Sequence, residues 1–184
     1  MPATVPRTDA RWRSALEEHH VALASYLDAA AALSADAWTT PWQPGKWTPA
    51  EITEHLALTY RVFIGEATTG ATMKLKLTPF RRRMLKLLLL PHMLFHRKFP
   101  KGARAPREVR PHTPGGTREG ALAQLRTLAE QFERAAEAAR GAGRPGLTHP
   151  YFGLIDWNRG MRFAALHIEH HRGQIARKGS ARVR

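Results

Sequence analysis

Apolar residues return along this chain at intervals of three and four, with no stretch of the strict alternation that marks a half-buried strand. Trp12, Leu16, His19, Leu23, Tyr26, Ala30 and Leu33 form the first such stripe, which predicts a helix over residues 7–34 with one buried face. Thr39-Thr-Pro-Trp-Gln-Pro-Gly-Lys46 then interrupts, so residues 34–46 read as a break in the helix. The next start is clearly punctuated: Thr48 as N-cap, Pro49 as the first helical residue, and Glu51 as the partner in a capping box. From there Ile52, His55, Thr59, Val62 and Glu66 share a face widened by Leu56 and Phe63, and Gly70 closes the helix.

A long connection follows over residues 73–116. Its first half, residues 80–95, reads as an apolar helix broken at Pro91, and the remainder, rich in proline and glycine, reads as a loop. Thr117 caps a third helix with the stripe Ala121, Leu125, Leu128, Phe132, Ala135 and Ala139, which Gly141-Ala-Gly-Arg-Pro-Gly146 terminates. His149-Pro-Tyr-Phe-Gly153 reads as a turn, and Asp156 as the N-cap of a last helix. On that helix Trp157, Met161, Ala164, His167 or Ile168, His171 and Ile175 lie toward one side. Four long amphipathic helices, with one long and two short links, predict an all-α four-helix bundle over residues 1–184, a single domain whose crossover insertion is 73–116.

Composition narrows the function classes. A chain of 184 residues with 43% apolar content can bury a core, and no apolar run approaches the ~20 residues that span a bilayer. The first seven residues lack a secretory pattern, and the expected location is the cytoplasm. With no cysteine, the strong metal-ligating groups are histidine and carboxylate, and any thiol chemistry needs a thiol from outside. The net charge of +14 is local: residues 73–113 carry 12 Lys and Arg against Glu108 alone, leaving +3 for the rest. Such a segment points to an acidic or membrane-surface partner for the crossover, not to a protein coated for nucleic acid. A basic, leucine-rich helix can lie on an anionic membrane, although packing as an extra helix on the core is the reading favoured for it.

The candidate chemistry lies in Ala165-Leu-His-Ile-Glu-His-His-Arg-Gly-Gln-Ile175. Four residues of helix set His167 and His171 one above the other on one face, a spacing suited to clipping a metal, while His170 points about 100° away. His55 is placed inward on the second helix; alone it reads as a core histidine, and so does His19. His92 and His96 repeat the spacing among basic neighbours that repel a cation. Glu17-Glu-His-His20 is the one Glu-x-x-His motif, where a di-iron bundle needs two.

The chain resembles the DinB-like superfamily of DNA-damage-inducible and thiol-transferase-related metal-binding bundles. The likeness rests on Trp47-Thr-Pro-Ala-Glu-Ile-Thr-Glu-His55, on His149-Pro-Tyr-Phe-Gly153 and on His167-x-x-x-His171-x-x-Gln174, and covers most of the chain from Trp47 onward. The resemblance implies a divalent metal, commonly zinc or nickel, held by His55, His167 and His171. It also implies a metal-dependent transferase that uses a low-molecular-weight thiol, or a related hydrolase, acting on a small molecule. Gln174, Lys98, Lys101 and Arg104 become candidates for holding substrate, with Arg81 among the same basic residues, and a homodimer is common among such proteins. The leucine-rich segment before Phe99-Pro-Lys-Gly-Ala103 sets this chain apart from the better-understood thiol transferases. The competing reading is a non-catalytic, metal-stabilised stress protein that binds an acidic partner or membrane surface through residues 73–113.

Overall fold

A computed structural model describes residues 7–72, 74–100, 105–112 and 115–179. Four long helices carry the fold: α1 (Arg7–Ala31), α3 (Pro49–Thr69), α6 (Arg118–Gly141) and α7 (Trp157–Gly179). Between them lie α2 (Ala35–Thr39), α4 (Pro79–Met84), α5 (Leu90–His96) and a hairpin of β1 (Leu147–His149) with β2 (Gly153–Ile155). The molecule is mainly α-helical, as a bundle should be. α1 packs chiefly on α7, and α3 on α6, around a core that includes Trp12, Tyr26, Leu56, Phe132 and Ile168.

The helix starts follow the punctuation in the sequence. Thr48 Oγ1 accepts from the Glu51 amide at 3.1 Å while Glu51 Oε2 accepts from the Thr48 amide at 2.7 Å, a complete capping box, and Gly70 ends α3 in the left-handed region. Asp156 Oδ1 accepts from the Arg159 amide at 3.0 Å at the start of α7. These caps set the phase of the two helices that carry His55, His167 and His171.

Three stretches differ from the sequence reading. Residues 35–39 form one helical turn, capped by Ser34, because Trp38 gains burial there before the prolines intervene. Pro91 does not break its helix. The π-helical turn Leu85–Leu89 lies directly before it, and a widened turn of this kind accommodates the proline ring and the missing amide. The turn read at His149–Gly153 is present, but the residues on either side of it form short strands that the sequence reading did not include, an antiparallel hairpin pairing Leu147 with Ile155 and Thr148 with Leu154. Three-residue strands are too short to leave an alternating signature.

The hairpin staples the ends of two long helices. Arg144 donates from Nη1 to the Ala67 carbonyl at 3.1 Å and from Nη2 to the Thr68 carbonyl at 3.2 Å, meeting acceptors that the end of α3 leaves open. Trp157 Nε1 donates to the Arg144 carbonyl at 2.7 Å, and Glu66 Oε1 accepts from the Thr148 amide at 2.6 Å. A second polar tie crosses the core. His19 donates from Nδ1 to Glu133 at 2.6 Å and accepts at Nε2 from the Tyr60 hydroxyl at 2.6 Å, joining α1, α3 and α6. His20 adds a bond to the other Glu133 oxygen at 2.8 Å. Burial pushes the Glu133 carboxyl upward, but the bonds from His19 and His20 outweigh it and hold it below the usual range. Burial and the charge of Glu133 push the Tyr60 phenol well up, so it stays a donor.

Gly146 enters the hairpin at φ +150° with the Ile155 carbonyl and the Asp156 Cα packed where a Cβ would stand, the latter at 2.9 Å. Both obstacles are backbone. Gly146→Ala should therefore destabilise the fold by on the order of 2 kcal/mol or more, read as a lowered midpoint in chemical unfolding.

Candidate metal centre

His55 sits two turns into α3, and its ring faces the Trp47 ring at 5.0 Å between centroids. His167 and His171 stand one turn apart on α7. The three rings make a near-equilateral cluster, with centroids 5.0, 4.9 and 4.7 Å apart, and one ring nitrogen from each lies within 4.8 Å of the others. Among the described residues this is the one group of three or more His, Asp or Glu side chains close enough to share an ion.

Which atoms converge is settled by what the far side of each ring touches. His55 Nδ1 lies 2.6 Å from the Val109 carbonyl, which can only accept, so Nδ1 carries the hydrogen and Nε2 a bare lone pair. His171 Nδ1 donates to Gln174 Oε1 at 2.9 Å, with the same consequence at its Nε2. Both Nε2 atoms lie 3.1 Å from Nε2 of His167. One hydrogen on His167 can serve only one of them. Two lone pairs fixed by outer hydrogen bonds converge on a third nitrogen whose single hydrogen leaves at least one of them unmet among the described residues.

That arrangement fits a divalent cation. At the ~2.0–2.1 Å typical of zinc to imidazole, two ligands of one ion are about 3.3 Å apart at the tetrahedral angle and about 2.9 Å at a right angle. The observed 3.1 Å falls between. Burial, followed by the mutual repulsion of the neighbouring histidines, drives His167 and His171 well below the ordinary imidazole value. Burial also lowers His55, against the opposing pull of Val109. All three are neutral near pH 7, the form a metal requires. His55 and His171 are 3% and 6% exposed while His167 is partly exposed, so the cluster opens on the His167 side.

The sequence-derived substrate candidates divide. Gln174 is occupied in orienting His171, and its Nε2 donates to His170 Nε2 at 3.0 Å. Lys98 is exposed at the end of the crossover helix, next to Phe99. Lys101 and Arg104 lie outside the described residues, and Arg81 is exposed on α4. Sequence reasoning missed Val109 and Phe99. The Phe99 ring lies 5.7 Å from that of His167 and 4.9 Å from that of His170, and Val109, 4% exposed, brings its carbonyl in from the 3₁₀ turn Arg107–Val109. Only the proline before that turn hints at a fixed loop.

His149 takes no place in the cluster. Its ring stacks on Phe152 at 4.6 Å and meets the edge of Phe163 at 4.9 Å, and burial lowers its pKa to about 4. Phe163 in turn stacks on His167 at 6.3 Å, so the hairpin tip braces α7 beside the site. His92 and His96 pair at 4.3 Å on the exposed side of the crossover helix, apart from it.

No curated protein and no solved structure matches the chain. The family model of the DinB superfamily matches residues 18–175, a span that includes His55, His167 and His171, and the chain belongs to that superfamily.

Proposed function

We propose that the protein binds one divalent metal ion through Nε2 of His55, His167 and His171, and uses it as a metal-dependent transferase with a low-molecular-weight thiol, or as a related hydrolase. The observation that carries this reading is the pair of lone pairs locked inward by Val109 and Gln174. Leaving such nitrogens unmet in a buried site costs on the order of 1–3 kcal/mol each. A metal offsets that many times over, since structural zinc contributes about 10–16 kcal/mol in small domains. Imidazole suits zinc, nickel, copper and iron alike, and the family likeness favours zinc or nickel among them.

Three protein ligands favour a working site over a purely structural one, because structural zinc is normally closed by four. When bound, the ion supplies Lewis acidity that brings a water or thiol toward deprotonation near neutral pH. The chain's own residues do the rest. Val109 and Gln174 hold two imidazoles in the required tautomer, Trp47, Phe99 and Phe163 keep the surroundings apolar, and the partial exposure of His167 leaves an approach for a small molecule. The cationic crossover beside Phe99, Lys98 included, suits the carboxylates of a small thiol.

Elemental analysis of the purified protein should find close to one divalent ion per chain, and His55→Ala and His171→Ala should each lose it. Retention of full metal by both would end the proposal. Gln174→Ala keeps all three ligands but frees His171 Nδ1, and should weaken metal affinity about 10- to 100-fold by competition with a chelator. An unchanged affinity would show that the glutamine orients nothing that matters.

The metal-free protein should also be acid-sensitive in a defined window. The folded pKa values of the three histidines lie below the unfolded value of about 6.5, so the unfolded chain takes up protons first as pH falls. Their contribution to stability is whole above about pH 6.5 and is lost as the pH falls from there toward the folded values. Urea unfolding should give a lower midpoint at about pH 5.5 than at about pH 7.5, and His167→Gln should flatten the difference. Equal slopes in the two proteins would remove the triad as its source.

A further inference from the structure

The helical run over residues 79–96 is apolar on two sides. Leu85, Leu89, Leu90, Met93 and Leu94 turn toward the body, with Leu90 and Met93 fully buried. The opposite side carries Phe80, Met84, Leu87, Leu88, Pro91 and Phe95, all exposed, at steps of four, three, one, three and four. Phe80 is 73% and Phe95 82% exposed. The π turn keeps this stripe in register, because its wider pitch shifts the second half of the run back over the first. One exposed leucine is ordinary; a second continuous stripe on a helix already docked by its other face marks a contact surface.

Charge identifies the occupant. Arg81 and Arg83 flank the stripe, Lys74 and Lys76 stand on either side of exposed Leu75 just before it, and Lys98 follows its end. Among the described residues none of these five cations has a carboxylate partner within 4.0 Å, whereas Arg97 is tied to Glu18 and Glu169 and so fastens the run to α1 and α7. A second copy of the chain would bring another segment of charge +11 to the same face and be repelled. A nucleic acid would satisfy the cations but leaves Met84, Leu87 and Leu88 without apolar contact. A surface that is negative outside and hydrocarbon a few ångströms deeper meets both needs.

We propose that residues 74–98 dock this chain onto an anionic lipid bilayer, with the stripe from Phe80 to Phe95 entering the headgroup boundary and the flanking Lys and Arg resting on the lipid phosphates. The helix lies in the surface and does not cross it; no helix among the described residues is long and apolar enough to span a membrane.

Flotation of the full chain with vesicles tests this, using phosphatidylcholine alone and phosphatidylcholine mixed equally with phosphatidylglycerol. Binding should be about tenfold or more tighter to the mixed vesicles and fall steeply as salt is raised. The double variants Leu87→Ser with Leu88→Ser, and Arg81→Ser with Arg83→Ser, alter exposed positions only. Each should bind the mixed vesicles about tenfold more weakly, with circular dichroism and metal content unchanged. The metal measurement keeps this result separate from the fate of the histidine site. Absence of flotation, or equal flotation of wild type and both variants, would overturn the proposal. So would a dimer in sedimentation velocity that the leucine variant abolishes while no vesicle is bound, which would give the stripe to a second copy. Tighter retention by duplex DNA or RNA than by mixed vesicles would give it to nucleic acid.

Discussion

Nε2 of His55 and Nε2 of His171 each lie 3.1 Å from the same atom of His167 with no hydrogen of their own to offer, and much of the bundle exists to keep them there. Neutral imidazoles of matching polarity do not gather spontaneously. They are gathered because α3 and α7 are fixed from outside the site: α3 by its capping box and by Arg144 at its far end, α7 by Asp156 at its start and by the hydrogen bond from Trp157 to Arg144. The outer bonds to Val109 and Gln174 then remove the remaining freedom, since a flipped or tautomerised ring would lose a buried partner worth about 1 kcal/mol or more. Scaffold and tautomer together turn three ordinary side chains into a concentrated set of electron pairs.

The same bundle holds a buried histidine of the opposite kind. His19 is more deeply buried than any of the three, yet each of its nitrogens meets a complementary group, the Glu133 carboxylate on one side and the Tyr60 hydroxyl on the other. That network is closed. It binds three helices together and asks nothing of the solvent. His55 and His171 have their outer nitrogens satisfied in the same manner, by Val109 and Gln174, while their inner ones face Nε2 of His167. A histidine with two complementary partners belongs to a structural network, whereas one whose inner lone pair points at another imidazole is placed to act as a ligand, and burial alone does not distinguish the two.

Much of this was written in the sequence where local physics dominates. Thr48, Pro49, Glu51, Gly70, Thr117 and Asp156 mark helix ends because caps act within a few residues, and the stripes on α1, α3, α6 and α7 mark the faces that pack. His167 and His171 were legible as a pair for the same reason. Their convergence with His55, 112 positions before His167, came only through the family resemblance, because nothing in the spacing of one helix states which helix it will face. Val109 was hidden more completely: its contribution is a backbone carbonyl, and any residue in that turn supplies one. The proline at 91 misled because the rule that proline interrupts a helix is local, whereas here a π turn yields by one residue and burial of Leu90 and Met93 on the body holds the run together.

The crossover is where these scales meet. A connection between two helices of a bundle needs only a few residues, and one longer than forty is stable only if it makes contacts of its own. This one makes them in two directions. Inward, it supplies the carbonyl that sets the His55 tautomer and the phenyl ring beside His167, so the surroundings of the histidine cluster are incomplete without it. Outward, it keeps a row of apolar side chains in water, an unfavourable arrangement that packing on the core does not explain, because the core-facing positions of the same helix are already filled. The two faces are joined at Arg97, where a left-handed residue ends the helix and its guanidinium reaches Glu18 and Glu169 before the chain turns to Phe99. The outer stripe and the Phe99 ring beside His167 are therefore parts of one stretch of chain, anchored between them by Arg97.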